Sequence, residues 1–112
     1  MTERARKYLA DIQQAIGKIE RYITLTPGFA AYAANSLVRD AVERQLGIIG
    51  EAVTHYRREP DAIALTDARQ IIQLRNQLIH AYDAVQHPVI WTIVHDDLPA
   101  LRAEVTALLA AE

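Results

Sequence analysis

The sequence predicts an all-α fold, a compact up-and-down bundle of four to five helices. Alanine, leucine and isoleucine dominate it, apolar residues recur at spacings of three and four, and the alternation expected of strands is absent. At 112 residues the chain makes one domain, 1–112, with no repeat, linker or low-complexity segment. A chain of this size buries roughly two thirds of its unfolded surface, enough for a core without staples.

The elements follow in order. A first helix runs from Glu3 to Ile23 with Thr2 as its cap, because a threonine oxygen can accept from the unpaired N–H groups of a first turn. Its stripe is Leu9, Ile12, Ile16, Ile19 and Ile23, and Leu25-Thr26-Pro27-Gly28 then breaks the pattern. A second helix is expected over 30–56, with Val38, Val42, Gln45, Ile49, Ala52 and Tyr56 facing inward. Gly47 and Gly50 lie inside it. Each costs about 1 kcal/mol against alanine in a helix interior, which points to another backbone packed close. Arg57-Arg58-Glu59-Pro60-Asp61 ends that helix, and Thr66 or Asp67 caps a third that reaches Ala81. Residues 83–87 read as a loop. Pro88 suits the first position of a short helix ending near His95, since its missing N–H would be unpaired there. Asp97 is expected to cap a last helix, with Pro99 in its first turn and Leu101, Val105 and Leu108 along its stripe.

Composition narrows the function. There is no cysteine, which excludes disulfides and thiolate metal sites and suits a reducing compartment. No secretory segment follows the charged start MTERARKYL, and no apolar run approaches the roughly 18 residues of a membrane span. A cytoplasmic protein with no membrane association is expected. The net charge is −2, so the chain is not a generally basic nucleic-acid binder. Residues 1–58 carry nine Lys/Arg against six Asp/Glu, and residues 59–112 carry three against eight. An anion site must therefore be built locally or assembled from two copies.

The stretch RNQLIHAY, residues 75–82, raises the functional question. On a wheel of about 100° per residue, Ile71, Leu74, Leu78 and Ala81 share one apolar side, and Ile72 and Ile79 extend the arc on the other. Arg75 falls inside that arc, and Tyr82 two turns on along the same face. Gln73, Asn76, Gln77 and His80 form the polar face, with Asn76 and His80 neighbours at i, i+4. A guanidinium stays charged at any relevant pH, so Arg75 needs an anionic partner. So wide an arc leaves one side for the bundle core and the other for a further surface, such as a second copy of the chain. Two readings of these residues stand. Arg75 pairs with a bundle carboxylate, Asp40, Glu43 or Glu51, while His80 is a surface histidine and Tyr82 a core aromatic. Or Arg75 looks into a cleft and works with His80. On a straight helix these two lie about 140° apart, so they converge only if the helix ends near His80, if Arg75 leans across, or if two chains contribute.

Arg75-Asn76, three further residues, then His80-Ala81-Tyr82 resembles the R-x4-H-x-Y signature of the HepT-like toxins, helical ribonuclease domains of the HEPN group. Arg39-Asp40-Ala41-Val42-Glu43-Arg44 and Ile48-Ile49-Gly50-Glu51-Ala52 are similar to the second helix of that family. Pro88-Val89-Ile90-Trp91 and Asp96-Asp97-Leu98-Pro99-Ala100-Leu101 are similar to its C-terminal part. The chain departs from the family pattern at Ala81, where relatives often carry glycine, and at Gln77, where they often carry a basic residue. It also lacks the tryptophan often found shortly before the motif arginine.

The resemblance implies a homodimer, joined through the bundle, whose two motif segments line a shared cleft. It implies a metal-independent RNA endonuclease, encoded beside a minimal nucleotidyltransferase antitoxin that silences it by adenylylating the motif tyrosine. Carried over, Arg75 and His80 are catalytic, Asn76 supports them and Tyr82 is the modification target. The residue types suit the chemistry. RNA brings its own nucleophile, the 2′-hydroxyl, so cleavage needs a proton moved and developing charge on phosphorus stabilised. Histidine titrates near neutrality, and arginine holds phosphate oxygens at two points. No cofactor is expected, because no HExxH, acidic cluster or histidine pair has ligand spacing. His55, His87 and His95 read as surface or capping residues. The competing expectation is a non-catalytic helical dimer of the same fold that binds nucleotide, RNA or a partner protein.

Overall fold

The computed structural model describes residues 1–80 and 86–111. Helix α1 spans Glu3–Ile23, α2 Phe29–Ala34, α3 Ser36–Tyr56, α4 Ala68–His80, α5 His87–Thr92 and α6 Leu98–Ala110. A single π turn, Ile93–Asp97, joins the last two. All described regular structure is helical, as the composition predicts.

The apolar periods build the core. Leu9, Ile12, Ile16 and Ile19 of α1 are buried, Ile23 partly so, and all six inward residues expected on α3 are buried. The helices run antiparallel in turn. Thr2 caps α1 by accepting from the Ala5 N–H at 2.9 Å, while its hydroxyl donates to Glu59, just beyond the far end of α3, at 2.8 Å. Arg102 of α6 meets Glu20 of α1 at 2.7 Å, and Gln13 of α1 meets Thr106. The lateral order is α6, α1, α3, α4, with α2 and α5 closing one end. Ile71 and Leu74 seal α4 onto α3, and Leu98, Leu101 and Val105 seal α6.

Two expectations need correction. The predicted helix over 30–56 is two helices. Asn35 is extended (φ −112°, ψ 95°), and its side-chain oxygen accepts from the Val38 N–H at 3.0 Å. Asparagine offers the backbone a local partner that competes with helix continuation, so the chain turns there and α2 buries Tyr32 on its own account. Asp97 caps nothing. It is helical, its side chain makes no cap bond, and the chain passes from α5 into α6 without a break. The cause is Pro99, which has no N–H to give a carbonyl four residues back. The turn before it widens, and the Leu98 N–H bonds to the Ile93 carbonyl five residues behind. Of the two cap candidates for the third predicted helix, Asp67 and not Thr66 takes the place. The Thr66 N–H and hydroxyl both reach the Glu104 carboxylate, the latter at 2.7 Å, which ties the start of α4 to α6. Asp67 holds the position ahead of α4, its carbonyl accepting from Ile71.

Candidate active site

The arginine of the motif is built into a helix crossing. At Gly50 of α3, a Cβ would stand 2.3 Å from the Arg75 Cβ, 2.8 Å from its Cγ and 3.2 Å from the Ile71 carbonyl. Those distances admit no side chain, so glycine is required where α4 lies across α3 and the Arg75 stem runs over bare backbone. The reason expected for Gly50 is therefore correct. It does not extend to Gly47, where a Cβ would meet nothing within 4 Å. Gly47 instead forms the open floor of a groove.

That groove, about 460 Å³ in volume, lies between α3 and α4 and is lined by Glu43, Arg44, Gly47, Ile48, Glu51, Arg75, Leu78 and Ile79. Ile79 leaves 52% of its surface exposed on the rim, large for a β-branched apolar side chain. Arg75 is half-buried. One terminal nitrogen donates to the Asn76 side-chain oxygen at 3.2 Å. Its Nε is buried and has no partner among the described residues. Among the described residues no carboxylate lies within 4.0 Å of the guanidinium. Asp40, Glu43 and Glu51, the acids that could have neutralised it, do not. The charge faces a polar-edged space with part of its hydrogen-bonding capacity unused.

His80 closes α4 and is exposed, and Asn76 is exposed beside Arg75. His80 is not part of the groove wall. The structure thus joins Arg75 to Asn76 but does not bring His80 to the same space within one chain, as the 140° separation foretold. Tyr82 and Ala81 lie outside the described residues.

The groove also holds a residue that the sequence reading treated only as a possible counter-ion. Glu43 is half-buried, and its carboxyl is pushed up by that burial and by neighbouring Asp40, with His87 and Arg39 pulling it partly back. Tyr32 behind it is pushed up to about 12, first by burial and next by Glu43. A signal was available. Glu43, Gly47 and Gly50/Glu51 repeat at helical spacing on the side of α3 away from its buried stripe, a second face with its own composition. The other histidines have local duties. His55 stacks on Tyr8 at 5.4 Å between ring centres, and His95 covers Trp91 at 3.9 Å with its Nδ1 on the Trp91 carbonyl.

Residues 12–108 match the family described as Ribonuclease HepT-like. The chain belongs to the HepT-like ribonuclease family. Its place there rests on most of its length, not on the short motif alone. The probable ribonuclease HepT of Thermococcus cleftensis is 34% identical over 103 residues, covering 88% of this chain and 90% of the relative. A Methanocaldococcus jannaschii protein named provisionally as an RNase is 29% identical over 101 residues, 89% of this chain and 92% of the relative. Another so named, from Caldanaerobacter subterraneus, is 30% identical over 109 residues, 96% of each chain. No solved structure matches the chain. The resemblance read from the motif and its flanks is thereby established, and the family is one of ribonucleases of the HEPN type. No helix among the described residues is long and apolar enough to cross a membrane.

Proposed function

We propose that this HepT-like chain is a metal-independent RNA endonuclease, the toxin of a toxin–antitoxin pair. In this reading it works as a homodimer with Arg75 and His80 as catalytic residues, Asn76 holding Arg75, and a minimal nucleotidyltransferase antitoxin silencing it by adenylylating Tyr82. One observation carries the reading: the Arg75 guanidinium stands in an open groove with no acidic partner among the described residues. A permanent charge held half-buried costs stability unless an anion completes it, and a phosphodiester is the anion this family meets. Arg75 would bind the phosphate and stabilise charge as the 2′-oxygen attacks, and His80 would carry a proton.

The dimer answers a geometric need. Within one chain His80 lies outside the groove that holds Arg75. A second copy packed on the α3–α4 face would cover Ile79 and bring its own His80 toward the first Arg75. Adenylylation of Tyr82 would add bulk and a phosphate that could occupy the arginine in place of RNA.

The test is cleavage of total RNA by purified protein in excess chelator. Arg75→Ala is expected to lower the rate by about 10²–10³-fold and His80→Ala by about 10²–10⁴-fold, with melting temperatures close to wild type. Equal RNA damage by wild type and both variants would refute catalysis by this pair and favour the competing reading, a non-catalytic dimer. That reading gains some support from the exposed position of His80. For Tyr82, Tyr82→Phe toxin is expected to escape control by the partner enzyme; full control of it would remove the modification step.

A further inference from the structure

We propose that Glu43 is a second catalytic residue of the groove, the general base that takes the proton from the RNA 2′-hydroxyl, while His80 supplies the proton to the leaving oxygen. The inference rests on the RNA-cleavage reading above and extends it. Cleavage through the 2′-hydroxyl needs two proton transfers, and one histidine per site covers one of them. The motif provides no other group that titrates usefully. The groove does.

Geometry selects Glu43 over the other acids. It lines the same groove as Arg75, as does Gly47 one turn along α3, and no ion pair joins the two. A carboxylate and a guanidinium on one groove wall that do not neutralise each other leave room for a phosphodiester. Glu51 also lines the groove, but it is 60% exposed and sits 3.8 Å from His55. Asp40 is exposed and does not line the groove. Glu43 alone of the three is held by a crowded, partly dry setting. Asp40 and Arg39 act on it from its own helix, His87 from α5, and its charge reaches Tyr32 of α2. The Tyr32 hydroxyl and the His87 Nδ1 are buried there without partners among the described residues. A carboxylate made more basic by burial is a better proton acceptor near neutral pH than a solvated one.

The step balances without a co-reactant. The 2′-hydroxyl gives its proton to the Glu43 carboxylate, and the 2′-oxygen bonds to phosphorus as the bond from phosphorus to the 5′-oxygen breaks. The leaving 5′-oxygen takes a proton from the His80 imidazolium. The products are a 2′,3′-cyclic phosphate and a 5′-hydroxyl end. Proton exchange with water resets both residues.

The experiment is the pH–rate profile of wild type, Glu43→Gln, Glu43→Asp and His80→Ala. Each is run on an RNA oligonucleotide and on the same oligonucleotide with sulfur replacing the 5′-leaving oxygen. Sulfur leaves without a proton, so it bypasses a missing general acid but not a missing base. Wild type is expected to give a bell, falling in acid as Glu43 protonates and in base as the general acid is lost. Glu43→Gln is expected to lose about 10²–10⁴-fold together with the acidic limb, and Glu43→Asp to recover part of the rate. The sulfur substrate is expected to rescue His80→Ala and not Glu43→Gln. A Glu43→Gln enzyme with wild-type rate and acidic limb, or one rescued by sulfur, overturns the assignment. If Arg75→Ala and His80→Ala also cleave normally, the ribonuclease site itself is wrong; if they are dead while Glu43→Gln is active, only Glu43 is.

Discussion

Helix α3 has two faces that were built for different ends. Toward α1 it presents Val42, Leu46, Ile49 and Val53, all nearly or wholly buried against Leu9, Ile12, Ile16 and Ile19. Toward α4 it presents Glu43, Gly47, Gly50 and Glu51, and between them runs a groove holding an arginine with no acidic partner among the described residues. The first face maximises buried apolar area, which is what stabilises a small domain. The second omits side chains where area could have been buried and keeps an ionisable group in a costly place. If the proposed site is right, stability and chemistry are divided across one helix, and substitutions on the two faces should separate them.

The largest effect on folding belongs to the α1 side. Ile49→Ala removes a fully buried side chain and is expected to cost about 2–5 kcal/mol. Denaturant titration measures this, and whatever remains folded should cleave normally. The groove side offers one substitution at two glycines with opposite outcomes. Gly50→Ala drives a methyl into the Arg75 stem. It is expected to destabilise by about 1–3 kcal/mol and to reduce cleavage beyond that loss, because α4 must shift. Gly47→Ala meets nothing and is expected to stabilise by up to about 1 kcal/mol through helix propensity. If the two alanines behaved alike, the helix crossing would not be where it is described.

The smallest effect is a sign. Burial raises the Glu43 carboxyl in the folded state, so its ionised form is the one folding disfavours. Its contribution to stability is therefore present below the usual carboxylate range and lost as pH rises through the raised value. Glu43→Gln is expected to melt about a degree or two higher than wild type at neutral pH, with the gain disappearing in acid. A lower melting temperature at pH 7 would mean that Glu43 is a structural ion-pair member instead.

These contrasts also explain what the sequence could reveal. The buried stripes were legible because apolar periodicity is the direct cause of burial. The break at Asn35 and the π turn before Pro99 were misjudged. Each depends on which backbone partner wins locally, a matter of a single hydrogen bond that periodicity does not register. Arg75 was legible as a charge on an apolar arc. Its freedom from Asp40, Glu43 and Glu51 was not, because counter-ions are settled by how α4 lies across α3. The setting on which the Glu43 proposal rests was not legible for the same reason: it comes from α2, α4 and α5 together.

The central claim is that Arg75 waits, unneutralised, for RNA phosphate in a site that two copies complete. Mixing Arg75→Ala chains with His80→Ala chains tests it most directly, since each homodimer is expected to be inactive. The mixed dimer would retain one complete site, Arg75 of one chain facing the partner subunit's His80, and its cleavage should return toward half that of wild type. Mixed dimers, formed and verified, that remain as inactive as either parent would contradict the account.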